Sequence, residues 1–201
     1  MKIEMNEIKV RITLTEGMLG TSSANEELHS EFIASKAPDA KKMEEEIAAI
    51  GLEAVEEKSK TIFPKDENGF PFMWDYQIKG MMKDSCGMLR KVSGSESSKM
   101  KAYKKEIDGL IFVEPRRIPI QLSGAMKECQ RPLRAQTMQG ERVALATSEE
   151  VPAGSVIEFT IKYMVPSDAH AIREWLDYGE VRGLGQWRNS GKGRFTWEEI
   201  A

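Results

Sequence analysis

Tyr178-Gly179-Glu180-Val181-Arg182-Gly183-Leu184-Gly185-Gln186-Trp187-Arg188-Asn189-Ser190-Gly191-Lys192-Gly193-Arg194-Phe195 stands between a segment with helical apolar spacing and a terminal strand-like run. No acid falls between Val181 and Trp197, where Arg182, Arg188, Lys192 and Arg194 supply positive charge and Gly183, Gly185, Gly191 and Gly193 loosen the backbone. Glycine lets backbone N–H groups approach an anion closely, and arginine presents a rigid fork of donors suited to phosphate. Trp187 adds a face on which an unpaired base can stack. The competing reading is a crossing that needs glycine for positive φ, with its charges merely solvated.

Working outward, Asp168 to Tyr178 places Ile172, Trp175 and Leu176 on one side of a helix, with Ser167 as its expected N-cap. Before it, Ser155 to Met164 carries Val156, Ile157, Phe159, Ile161 and Tyr163 in strand-like alternation, and Arg194 to Ile200 closes the chain as a last strand. Near the start, Ile8, Val10, Ile12 and Leu14 alternate with Lys9, Arg11 and Thr13, which predicts a strand with one face in a core. Gly17 to Asn25 reads as a long loop, and Leu28 to Ala37 and Ala40 to Ile50 as helices, the second stopped by Gly51. Thr61 to Phe63 and Phe70 to Trp74 read as the two arms of a hairpin turning at Asn68-Gly69. Asp75 to Val92 has helical spacing, with Gly80 and Gly87 seven residues apart on nearly one side. Ile107 to Val113 and Ile118 to Leu122 read as strands. Ser123 to Glu150, with Arg131, Arg134 and Arg142, is longer than a simple connection requires and reads as a projecting hairpin or loop.

With the excursions at 16–60 and 123–150 set aside, the order is β-α-β-β-α-β. The fold class expected is therefore α+β, a ferredoxin-like (RRM-like) single domain over residues 1–201 with core segments 7–14, 61–122 and 151–201. One face of such a sheet carries two helices and the other is open for binding.

Composition narrows the function classes. At 201 residues, 40% hydrophobic and 30% charged, the chain suits one globular domain with a real core. No apolar run of about eighteen residues is present, and the N-terminus is already strand-like, so we expect a cytoplasmic protein with no membrane partner. The net charge of −3 is uneven: residues 1–60 hold thirteen acids and eight bases, which leaves the remainder at +2. Positive charge gathers in 79–91, 99–105, 131–142 and 182–194, a local basic path on an acidic body. Lys79 and Lys83, four apart, share a helix face beside Gly80 and suit phosphate approaching there, although each also reads as a solvated lysine. Cys86 and Cys129 lack metal-ligand spacing and read as two buried free thiols, and His29 and His170 are the only histidines. No C-x-x-C, H-E-x-x-H or G-K-[ST] motif occurs, so no cofactor and no metal are expected.

The order of elements resembles the RAMP superfamily, the ferredoxin-like proteins that form the backbone of CRISPR effector complexes. Asp66-Glu67-Asn68-Gly69-Phe70-Pro71-Phe72 followed by Ile78-Lys79-Gly80-Met81-Met82-Lys83 is similar to the family's turn, strand and S-hydrophobic-K-G-x-x-R helix opening, with Asp75-Tyr76-Gln77 where Pro-Gly-Ser is usual. Arg131 to Ala146 resembles the stretch leading out of the family's thumb. Glu150-Val151-Pro152-Ala153-Gly154-Ser155-Val156-Ile157-Glu158-Phe159 is similar to the V-P-A-G-T-x-F-x-F lead-in to its third core strand. The glycine-rich loop at 178–195 stands where the family's own does. The compact chain also resembles uncharacterised proteins of phage genomes.

What the resemblance implies is a non-catalytic, RNA-binding subunit that stacks side by side into an oligomer or larger ribonucleoprotein, with residues 123–150 as a thumb over the neighbour. Single-stranded RNA or DNA would then meet Lys79, Lys83, Arg131, Arg134, Arg142, Arg182, Trp187, Arg188, Lys192 and Arg194. Some relatives cut RNA through a loop aspartate and metal, and Glu26, Glu27 and Asp39 are the acids in a comparable position. Two alternatives therefore stand beside nucleic-acid binding: a phage structural or CRISPR-interfering protein acting through protein contacts, and a metal-dependent endoribonuclease.

Overall fold

Alternation in the first strand sets the core. Ile8, Val10, Ile12 and Leu14 of β1 (Asn6–Leu14) are all buried, while the residues between them reach solvent wholly or in part. A computed structural model of the protein describes residues 4–23, 60–137 and 140–201, with the side chains of 133–144 outside that description. The chain forms two units. One comprises residues 1–18, 64–125 and 151–201, and the other comprises 19–63 and 126–150. Of the two excursions expected from sequence at 16–60 and 123–150, the described residues 19–23, 60, 126–137 and 140–150 fall in the second unit, and 16–18 and 123–125 in the first.

In the first unit β1 lies between β10 (Val156–Tyr163) and β11 (Phe195–Glu199), antiparallel to both. Register places Ile8, Val10 and Ile12 opposite Ile161, Phe159 and Ile157, so directly facing apolar pairs bury one continuous face. On its other side β10 pairs with β6 (Ile111–Glu114) and then β7 (Arg117–Gln121), two runs separated at Pro115, which has no N–H to offer a ladder. β5 (Phe72–Trp74) pairs with β7 and forms the edge, giving the order β11-β1-β10-β7-β5.

Three helices belong to this unit: α1 (Asp75–Leu89), α2 (Tyr103–Leu110) and α3 (Asp168–Arg182). α1 buries Ile78, Met81, Met82 and Cys86, and α3 buries Ala171, Ile172, Trp175 and Leu176. Each fully buried apolar side chain of this size contributes about 1.5–3 kcal/mol. The helices meet the sheet at Gly179, where a Cβ would stand 2.8 Å from the Phe195 ring and 3.0 Å from Met81 Sδ. Trp175 keeps its polar end satisfied by donating Nε1–H to Ser97 Oγ at 2.8 Å, and Glu174 in turn accepts from the Ser97 hydroxyl at 2.7 Å.

Several expectations change here. Residues 107–110, expected as the start of a strand, belong to the helix Tyr103–Leu110, and the strand begins only at Ile111. The expected hairpin of 61–63 with 70–74 does not form: β4 (Thr61–Ile62) joins the second unit's sheet, β5 joins the first, and the turn keeps one bridge, Lys65 to Pro71. Ser167 precedes α3 with helical φ and ψ and makes no side-chain cap. Gly80 and Gly87 do not admit a neighbouring backbone within the chain: nothing lies within 4 Å of a Cβ at Gly80, and Gly87 faces the Tyr103 side chain.

The second unit contains β8 (Lys127–Thr137) and β9 (Gly140–Val151), paired in continuous antiparallel register from Lys127↔Glu150 to Thr137↔Gly140. Of the hairpin or loop expected at 123–150, the hairpin is what forms. β9 also borders β4 and β2 (Met18–Leu19), and β3 (Ser22–Ser23) completes the sheet, so part of the loop expected at 17–25 is strand. The helices expected at 28–37 and 40–50 lie outside the described residues. Among those described, no helix is long and apolar enough to cross a membrane.

Candidate nucleic-acid interface

α3 runs on to Arg182, so the glycine-rich loop is confined to 183–194. All four of its glycines have positive φ. Gly193 shows why: at φ 71° its missing Cβ would lie 1.9 Å from the Leu184 carbonyl oxygen. Gly183 at φ 80° is similar, 2.6 Å from the Lys192 carbonyl. The two ends of the loop are laced together by Leu184 N–H to the Gly193 carbonyl at 2.8 Å. The N–H groups of Gly183, Gly191 and Gly193 donate to Gly179, Arg188 and Gly17 carbonyls. Gly183, Gly191 and Gly193 therefore build the crossing, and their N–H groups are spent inside the protein rather than turned to an anion.

The side chains tell a different story. Trp187 is the one described non-glycine residue with positive φ, at 54°. A left-handed residue with a Cβ costs about 1–2 kcal/mol, so the surrounding turn must hold it there. It does so through Ser190, whose N–H and hydroxyl both donate to the Trp187 carbonyl, at 3.1 and 2.8 Å. The conformation leaves the residue 41% exposed. Beside it, Arg182, Gly185, Gln186, Arg188 and Asn189 complete an open cavity of about 370 Å³.

Asp84 of α1 organises the cations of this cavity. Its Oδ2 accepts from Arg182 Nε and from Arg188 NH1, both at 2.9 Å, and Arg182 NH1 also donates to Asn189 Oδ1 at 2.8 Å. One carboxylate thus sits between two guanidinium groups and leaves the cluster with net positive charge. Lys192 is half-buried and Arg194 exposed, and among the described residues Arg194 has no carboxylate partner. Sequence reasoning missed Asp84, which lies 98 residues from Arg182, and no local pattern marks it.

The remaining expected cations are placed elsewhere. Lys83 pairs with Asp108 of α2, and Lys79 donates to the Asp108 carbonyl at 3.2 Å and lies 5.2 Å over the Phe112 ring. Burial lowers the Lys79 ammonium from its ordinary range, partly offset by Asp108. Both lysines thus tie α1 to α2. Arg131 belongs to the second unit, where it is 5% exposed and donates to Ser148 Oγ at 2.8 Å, a position inside that unit rather than on a binding surface. Arg134 and Arg142 occupy β8 and β9, and their side chains lie outside the described residues. So do His29, Glu26, Glu27 and Asp39. Among the described residues no cluster of three or more potential metal ligands occurs.

The open face of the sheet is largely charge-compensated. Arg11 bonds Glu158 at 2.7 Å and Glu198 at 2.8 Å, and Lys162 pairs with Glu114.

No family model matches the chain, and no curated protein matches it. Its fold is shared with solved structures. A chain of a type III-B Cmr-β complex bound to cognate target RNA superposes with a TM-score of 0.58 at 13% identity, over 98% of this chain and 60% of that one. A chain of a type IV-B CRISPR complex gives a TM-score of 0.50 at 11% identity, over 98% of this chain and 91% of that one. The present chain therefore spans less than two thirds of the length of the Cmr-β chain. The likeness is one of fold: this chain is built like chains found in CRISPR complexes.

Proposed function

We propose that the chain is a non-catalytic RAMP-like subunit that binds single-stranded nucleic acid, RNA foremost, at the loop 182–194, as part of a larger ribonucleoprotein. The observation that carries this reading is Trp187, held at positive φ and half-exposed beside Arg182 and Arg188 in a loop without acids. An aromatic face for a base, flanked by cations for phosphates, is the minimal pattern of sequence-tolerant single-strand recognition. The order β11-β1-β10-β6/β7, with α1 and α3 joining alternate strands, supports a ferredoxin-like core for the first unit. The type III-B structure that shares the fold is Cmr-β bound to cognate target RNA. In this reading the ligand follows the α1–α3–loop end of the unit, because the central open face has its cations already matched by acids.

The test is anisotropy of a labelled single-stranded RNA, with DNA in parallel, against wild type, Trp187→Ala and the triple variant Arg188→Ala/Lys192→Ala/Arg194→Ala. Loss of one stacked base weakens binding by roughly five- to a hundredfold. The triple variant should also flatten the salt dependence by about two units of slope, since single strands release about 0.7 counterions per phosphate contact. Unchanged affinity in both variants, with their folds intact, sinks the assignment to this loop.

A further inference from the structure

A second aromatic and arginine cluster lies far along the sheet from Trp187, at the β5 edge. The β5–β7 register puts Met73 opposite Ile118 on one face, and therefore Phe72 and Trp74, with Pro119 and Arg117 opposite them, on the other, where Phe72 is buried, Trp74 half-buried and Arg117 exposed. Trp74 and Tyr76 are stacked, with centroids 6.2 Å apart and ring planes within 14°, and Phe72 meets Trp74 edge-on at 5.0 Å. Arg117 lies 5.5 Å over the Phe72 ring and 5.7 Å over Trp74, and Arg116 lies 5.6 Å over Trp74 and 6.0 Å over Tyr76.

The charges of the two arginines differ. Arg116 is neutralised by Asp75 at 2.8 Å, an ion pair that fixes it beside the rings. Arg117 is exposed, and among the described residues no carboxylate pairs with it. Its guanidinium is oriented by aromatic faces alone, which leaves its N–H donors for an anion. Tyr76 is 52% exposed, an uncommon position for a ring already stacked on one side. A half-open aromatic stack with an unpaired guanidinium beside it matches a base and its adjoining phosphate.

We propose that Trp74, Tyr76 and Arg117 form a second nucleotide-binding site, which takes one unpaired base on the Tyr76 ring and the neighbouring phosphate on Arg117. The ligand class rests on the single-strand reading given above, but the surface is separate from the glycine-rich loop. It extends that reading from one anchoring point to two, so an oligonucleotide long enough to reach both should bind more tightly than a short one.

The experiment uses the full chain and a labelled single-stranded RNA, with ultraviolet crosslinking followed by peptide mass mapping, and anisotropy on Tyr76→Ala, Tyr76→Phe and Arg117→Gln. Both positions are exposed, so the variants should keep the wild-type melting temperature. The expected result is a crosslinked peptide containing Trp74 or Tyr76, about tenfold weaker binding for Tyr76→Ala, near wild-type binding for Tyr76→Phe, and a salt slope lower by about one for Arg117→Gln. Crosslinks at Trp187 alone, with all three variants binding normally, overturn this site and leave the loop assignment standing. Weakening by Tyr76→Ala with none by Trp187→Ala retains this site and overturns the loop. Absence of any binding by wild type, with oligomer size changed by Arg117→Gln, overturns both and makes the patch a protein contact.

Discussion

Asp84 holds the loop to α1 and at the same time occupies two guanidinium groups that a phosphate would use, so Asp84→Asn should move folding and binding in opposite directions. Two N–H···O bonds of 2.9 Å reach one oxygen, and all three side chains are about a quarter exposed. Two opposite charges about 4 Å apart attract by some 4 kcal/mol at an effective dielectric near 20, an upper figure before screening. At this exposure solvent removes much of it, and the asparagine oxygen still accepts one bond, so the net loss of stability should be about 1–2 kcal/mol. On the binding side, the cluster gains one unit of positive charge. Near a phosphate in a solvated cavity that is worth about 1 kcal/mol, or roughly fivefold in affinity at low salt. Urea melts measure the first effect, and anisotropy of labelled single-stranded RNA over a salt series measures the second. A variant that folds but binds RNA equally or more weakly would refute the competition between Asp84 and phosphate.

Other consequences are simpler. Gly193→Ala should destabilise the protein by roughly 2–4 kcal/mol through left-handed strain and collision with the Leu184 carbonyl, whereas Gly80→Ala, helical with nothing within 4 Å, should stabilise it by about 0.5–1 kcal/mol; thermal melts of the pair decide. Burial pushes the Cys86 thiol up, so thiol titration of the native protein should label the half-buried Cys129 first and reach Cys86 only on unfolding. Burial, with repulsion from Glu106, raises the Asp168 carboxyl above its ordinary value. A carboxylate raised in the fold opposes stability once it ionises, so Asp168→Asn should melt higher than wild type at neutral pH, and the gain should shrink as pH falls through the raised pKa to below the ordinary aspartate range.

The sequence was most readable where a strand buries one face. β1 and β10 show the alternation of a half-buried sheet, and their observed limits match the pattern closely. α2 was not legible because Ile107 is its one buried residue and the apolar run continues straight into β6, so a short helix and a strand shared one signal. β8 was unreadable as strand for the opposite reason: Lys-Glu-Cys-Gln-Arg-Pro-Leu-Arg-Ala-Gln-Thr has little apolar alternation, and backbone pairing with β9 defines it. The split of 61–74 between two sheets depends on partners far along the chain, which no turn residue announces. At the site, glycine content pointed to the positive φ values that the loop adopts. It left open whether the glycines close the crossing, and it did not reveal that Lys79 and Lys83 serve α2 or that Arg131 lies inside the second unit. Those are pairings across tens of residues, invisible to spacing.

The central claim is tested most directly by the salt dependence of wild-type binding to a labelled single-stranded RNA. The account predicts binding at about 50 mM salt, a linear fall of log Kobs against log salt with slope near −2 to −3, and loss of most of that slope when Arg188, Lys192 and Arg194 are changed together to alanine. Absence of binding at low salt, or a slope that the triple variant leaves unchanged, would contradict it.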